Sequence, residues 1–128
     1  MERIILVALG GAAGSVARYL TGVAVPRLIG LRAPWASTFI VNVVGGLAMG
    51  FLIGWLAQRG GAGQERARLF LAIGVLGGFT TFSSFSLDAA LMIQRRDYGL
   101  AGAYVAGSVL LSIGALFAGL MAARRMFA

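Results

Sequence analysis

Cysteine and histidine are both missing from the sequence. Without cysteine there is no disulfide framework and no thiolate metal site. Without histidine the commonest general base and the commonest metal ligand are gone. Acids are scarce as well: Glu2, Glu65, Asp88 and Asp97 are all there are. A hydrolase, a metalloenzyme or a histidine-based proton shuttle is hard to build from this set, and no enzymatic function is expected. Lysine is absent too, so all 11 basic residues are arginine. Charged residues make up 12% of the chain, about half the usual share, while hydrophobic residues make up 59%. A soluble domain of 128 residues cannot hide that much apolar surface, whereas a membrane protein need not. The net charge of +7 raises the question of nucleic acid. The arginines lie between apolar runs instead of forming one patch, which fits lipid phosphates and leaves nucleic acid aside as a partner.

A hydrocarbon core about 30 Å thick takes about 20 apolar residues in a helix. Four stretches qualify: Ile4 to about Val25 with Arg18 inside it, Trp35 to Ala57 without a charge, Leu69 to Ile93 with Asp88 inside it, and Gly99 to Ala123 without a charge. The expectation is an all-α membrane protein, a single domain over residues 1–128 with four transmembrane helices embedded in a lipid bilayer. The connections "PRLIGLRAP", "QRGGAGQERAR" and "QRRDY" carry breakers or charge, as turns between spans do. Arg3, the apolar run and "GAAGS" have some shape of a secretory signal. The apolar character continues for another turn or more, so a retained first helix is expected. Four spans place Arg3, Arg59, Arg66, Arg68, Arg124 and Arg125 on one side, against Arg27, Arg32, Arg95 and Arg96 on the other, with Arg18 nearer to the latter. Orientation follows a clear arginine excess, and this split has none. Either copies insert both ways and pair antiparallel, or the count is too small to decide.

Small residues four apart recur: Gly10 and Gly14; Gly46, Gly50 and Gly54; Gly74 and Gly78. This spacing lets helix backbones approach closely in lipid. Polar groups inside the spans are costly unless satisfied, so they are functional candidates. Gly77 and Gly78 fall near the centre of the third span. Each weakens a helix by about 1 kcal/mol relative to alanine, and together they invite a break there. Carbonyls freed by a break must face protein, water or an ion; the alternative is a packing pair in an unbroken helix. Thr80, Thr81, Ser83, Ser84 and Ser86 follow at once. Such hydroxyls bond back to a carbonyl one turn earlier or donate to an anion. Phe79, Phe82 and Phe85 form a slanted stripe on a helix, read as core packing or as ring edges of positive potential beside the hydroxyls. Tyr104, Ser108 and Ser112, spaced i, i+4, i+8, ladder one face of the fourth span. Asn42 is the amide at depth in the second span, with Thr38 one turn before it. Arg18, about 21 Å along a helix from Ile4, is expected near the far end of the span, where it suits a water-filled vestibule, snorkelling to the surface or a structural pairing with Asp88 or lipid phosphate. Asp88 suits a vestibule position or a hydrogen-bonded role.

These pieces, "GGAAGSVAR", "TFIVNVVGG", "GGFTTFSSFS" and the Tyr-x3-Ser-x3-Ser ladder, resemble the CrcB/Fluc fluoride channel family over nearly the full length. The resemblance implies an antiparallel dual-topology homodimer in the bacterial inner membrane, with two pores that passively release cytosolic fluoride. It implies that Phe82 and Phe85 line the pore, and that Asn42 hydrogen-bonds fluoride or positions a ring. Tyr104, Ser108 and Ser112, with Ser83 and Ser84, would form a polar track. The carbonyls of Gly77 and Thr80 from two subunits would hold a central sodium ion, and Arg18 would sit near the pore mouth. Two departures are visible: Ser84 stands where threonine is common, and Asp88 where glutamate is common. Rival readings are a small dual-topology cation or drug exporter using Asp88 and a non-transporting assembly subunit that docks through its glycine faces.

Overall fold

The computed structural model describes residues 1–30 and 33–128; Arg32, counted above among the arginines of one side, lies outside them. Helix α1 runs Glu2–Ile29 and α2 runs Pro34–Leu56. The third span is composite: α3 (Gly63–Ala67), a π-wound segment (Arg68–Leu76), α4 (Gly77–Phe79) and α5 (Phe82–Gln94). Helix α6 runs Tyr98–Phe127. All four apolar stretches are thus long enough to cross a bilayer, and the chain is a multi-pass membrane protein.

The first span is longer than its apolar pattern suggests. It continues through Pro26 to Ile29, 28 residues in all, or about 42 Å. Gly30 then ends it in the left-handed conformation (φ 67°), its N–H bonded to the Pro26 carbonyl at 3.1 Å, as helix C-termini favour. Arg18 therefore lies further inside the helix than at its far end. Pro34 opens α2 at a position where its missing N–H costs nothing.

Helices α1 and the π segment with α4 pack as one parallel pair, and α2 and α6 as another. Glycine makes both contacts possible. A Cβ on Gly10 would lie 2.9 Å from the Gly74 Cα, and one on Gly78 would lie 3.1 Å from the Gly11 Cα. On the other pair, a Cβ on Gly46 would meet the Ser112 carbonyl at 2.7 Å, and one on Gly119 the Phe51 nitrogen at 2.6 Å. Most large apolar side chains, Leu20 and Leu110 among them, point outward, which lipid rewards and water would not. A small core joins Phe85, Ala89, Met92, Ala101 and Tyr104 between α5 and α6, with Trp35 and Phe39 against it.

The third span does break near its centre, but not at the glycine pair. Gly77 and Gly78 are helical, and the extended residues are Thr80 (φ −79°, ψ 158°) and Thr81 (φ −154°, ψ 117°). Close packing of Gly78 against α1 holds the pair in helix and moves the break three residues on. As a result Phe79 lies on one helix and Phe82 and Phe85 on the next, so the three rings form no single stripe.

Candidate functional site

A break in lipid exposes backbone groups, and here side chains take them up one by one. Asn42, reaching across from α2, accepts from the Thr81 N–H (2.8 Å) and donates to the Thr81 carbonyl (3.0 Å). One of its two amide hydrogens remains free. The Thr81 hydroxyl caps α5, accepting from the Ser84 N–H at 3.1 Å and donating to the Ser84 hydroxyl at 3.2 Å, with the Ser83 hydroxyl also at 3.2 Å. Thr80 turns its hydroxyl and its N–H back to the Leu76 carbonyl (2.9 and 3.0 Å), and Ser86 bonds back to Phe82 at 2.9 Å. The five hydroxyls therefore divide. Two back-bond within their own helix, and three build the cap that restarts it.

The same arrangement releases two carbonyls. The N–H one helical turn beyond Gly77 belongs to Thr81 and is bonded to Asn42; the one beyond Thr80 belongs to Ser84 and is bonded to the Thr81 hydroxyl. Carbonyl oxygens freed in this way suit a hard cation. No carboxylate cluster able to hold a metal occurs among the described residues.

Two cavities meet at Thr81. The first, about 460 Å³, opens at the α1–α2 end and is lined by Arg18, Ser37, Thr38, Thr81 and Ser84. The second, about 430 Å³, brings together Asn42, Thr80, Thr81, Phe82, Phe85, Ser108 and Ser112 and continues past Met49 to Leu116. The Ser108 and Ser112 hydroxyls are buried with no hydrogen-bond partner among the described residues. Phe85 is 9% exposed and Phe82 78%; their ring centroids lie 5.5 Å apart. One side of this cavity is therefore open on the surface of the single chain.

The structure separates some residues that the sequence groups. Tyr104 does not join Ser108 and Ser112 in the second cavity. It sits behind Phe85, with ring centroids 5.4 Å apart, and donates to Asp88 at 3.0 Å. Asp88 lines a third, smaller space of about 140 Å³ with Trp35 and Arg95 and makes no pair with Arg18. The ion pairs among the described residues are Arg3–Glu65 (3.3 Å) and Arg66–Glu2 (2.9 Å), both at the other end. Ser83 is exposed on the chain's surface, and Ser84 belongs to the first cavity. Sequence reasoning missed Thr81 as the hub and Ser37 altogether. The hydroxyl cluster pointed towards Thr81, but nothing in the sequence singled out its partner 39 positions away.

A family model described as CrcB-like protein, Camphor Resistance (CrcB), matches residues 5–120. Relatives named fluoride-specific ion channel FluC are similar along the whole chain. That of Caulobacter vibrioides (strain NA1000 / CB15N) is 61% identical over 128 residues, 100% of both chains. That of Phenylobacterium zucineum (strain HLK1) is 59% identical over 128 residues, again 100% of both. That of Rhodospirillum centenum (strain ATCC 51521 / SW) is 57% identical over 120 residues, 94% of each. These names describe a channel and not an enzyme. With a family match spanning most of its length and relatives identical at more than half their positions, this chain belongs to the CrcB family.

Proposed function

We propose that the chain is a fluoride channel that lets the ion run passively down its gradient, out of the cytosol when the gradient points that way. One observation carries this reading: a cavity at membrane depth holds two phenyl rings, an amide and two unpartnered buried hydroxyls, with no cationic side chain. Fluoride is small and strongly hydrated, so losing water dominates its passage. Ser108, Ser112 and the free Asn42 hydrogen replace lost water with neutral donors. The edges of Phe82 and Phe85 add weak positive potential. Donors of this strength hold an ion long enough to enter and release it on the far side. Arg18 at the first cavity raises the local anion concentration. Names carried by relatives at 59–61% identity support the choice of ion.

The open side of the second cavity fits a homodimer, in which a second copy covers Phe82 and completes the passage. Near-equal arginine counts at the two ends support antiparallel pairing within the bacterial inner membrane. In that pairing the Gly77 and Thr80 carbonyls of two copies would hold a sodium ion, which supplies positive charge to carbonyl dipoles that lipid cannot satisfy. Asp88 engages Tyr104, which fits support of the Phe85 ring better than cation export.

The test is efflux from liposomes containing only this purified chain. Fluoride should leave rapidly and chloride should not. Phe85→Ile and Ser108→Ala should each reduce fluoride flux at least tenfold while the protein elutes unchanged from a sizing column. Equal fluoride and chloride flux, or none of either, overturns the reading.

A further inference from the structure

We propose that Ser37 is a halide-binding residue of the Arg18 cavity, receiving fluoride before it reaches Thr81; the inference rests on the channel reading above. Ser37 lies in the first turn of α2 and is only 8% exposed. Its hydroxyl has no hydrogen-bond partner among the described residues. A buried serine hydroxyl in a helix ordinarily bonds back to the carbonyl one turn earlier. For Ser37 that carbonyl is Ala33, which accepts from the Ala36 N–H at 3.0 Å and not from the Ser37 hydroxyl. An unpaired buried hydroxyl carries a desolvation cost, so this donor needs a partner that comes from outside the protein.

Its surroundings say what that partner is. The cavity that Ser37 lines also holds Arg18, from the facing helix. The start of α2 carries the positive end of a 23-residue helix dipole. That helix start is short of N–H donors, because Pro34 has none. The Ser37 hydroxyl fills this gap one turn in. Of the other hydroxyls there, Thr81 donates its hydrogen to Ser84. Arg18, the helix start and a free O–H thus converge from two helices on one space, and all three favour negative charge. A small monovalent anion matches this set. Asp88 and Asp97 line a different space and do not oppose it.

Ser37 then acts where fluoride first gives up part of its water, ahead of the neutral donors deeper in. This differs from Arg18, whose charge draws any anion; an O–H is a short-range donor that favours the smaller one. The test measures fluoride flux against fluoride concentration for wild type, Ser37→Ala and Ser37→Thr in the same liposomes, with chloride as competitor. Ser37→Ala should raise the half-saturating fluoride concentration at least threefold, the change falling on half-saturation and not on the maximal rate, and chloride should compete better. Ser37→Thr, which keeps the O–H, should stay near wild type. Superimposable wild-type and Ser37→Ala curves overturn the inference and leave the channel intact. An equal shift in Ser37→Thr overturns it as well, since side-chain size would then be the cause. Wild-type liposomes that move no fluoride overturn the channel reading and this one with it.

Discussion

Asn42 does two things at once, and its chemistry explains why no smaller side chain would serve. Its carbonyl and amide complete both backbone groups of Thr81, which lipid would otherwise leave bare. Removing the side chain unpairs two buried groups at about 1–3 kcal/mol each. Asn42→Ala should therefore lower stability to unfolding in mixed micelles by about 2–4 kcal/mol and reduce fluoride flux at least tenfold. The Ser108 hydroxyl has no partner among the described residues, so Ser108→Ala should lose flux with little change in stability. Equal stability in both variants sinks the clamp. Much of this was legible in the sequence: an amide alone in an apolar span asks for a partner. What was hidden was Thr81, because the glycine pair draws attention to Gly77 while packing against α1 shifts the extended residues to Thr80 and Thr81. Ser37 was hidden for a related reason. Whether a serine back-bonds or turns its hydroxyl to a cavity is set by packing between helices, which the sequence does not spell out.

Among the elements, the α2–α6 pair shows what glycine spacing does and does not reveal. Gly46, Gly50 and Gly54 announce a close-packing face in the sequence, and the structure sets that face on Ser112, Leu116 and Leu120. The reciprocal Gly119, pressed on Leu47 and Phe51, has no glycine four residues away on either side, only Ala115 and Ala123, and was not singled out. A Cβ at Gly50 would run into the Leu116 carbonyl, which is backbone and cannot swing aside. Gly50→Ala should cost about 1–3 kcal/mol through overpacking. Gly102, on the same α6, has nothing within 4 Å of a Cβ. Gly102→Ala should leave stability unchanged or raise it by up to about 1 kcal/mol, as alanine favours helix. Unfolding midpoints of the two variants in one detergent settle the comparison, and similar losses in both would mean that the pair is not held by glycine contact.

For the whole molecule, the span count was plain from hydropathy, but the parallel pairing of the first span with the third and the second with the fourth was not. Charge decides how the bundle sits in the membrane. Glu2 and Glu65 are both engaged by arginines at the end that carries the termini, yet exposed pairs of this kind are weak and acids count little towards orientation. The balance therefore rests on arginines alone: Arg59, Arg124 and Arg125 and their neighbours at one end, Arg27, Arg95 and Arg96 at the other. A near-even balance is easily tipped. Because the chain has no cysteine, Ala128→Cys adds one unique thiol at the C-terminus. A thiol reagent that cannot cross the membrane should reach it in intact cells and in inverted vesicles to comparable extents. Adding Arg95→Gln with Arg96→Asn should place the labelled C-terminus in the cytoplasm in most copies; asparagine suits the left-handed backbone at Arg96 (φ 59°). Adding Arg124→Gln with Arg125→Gln should drive it the other way. Labelling from one side alone in all three proteins would mean a single fixed orientation, and the antiparallel dimer, with the sodium site that depends on it, would have to be given up.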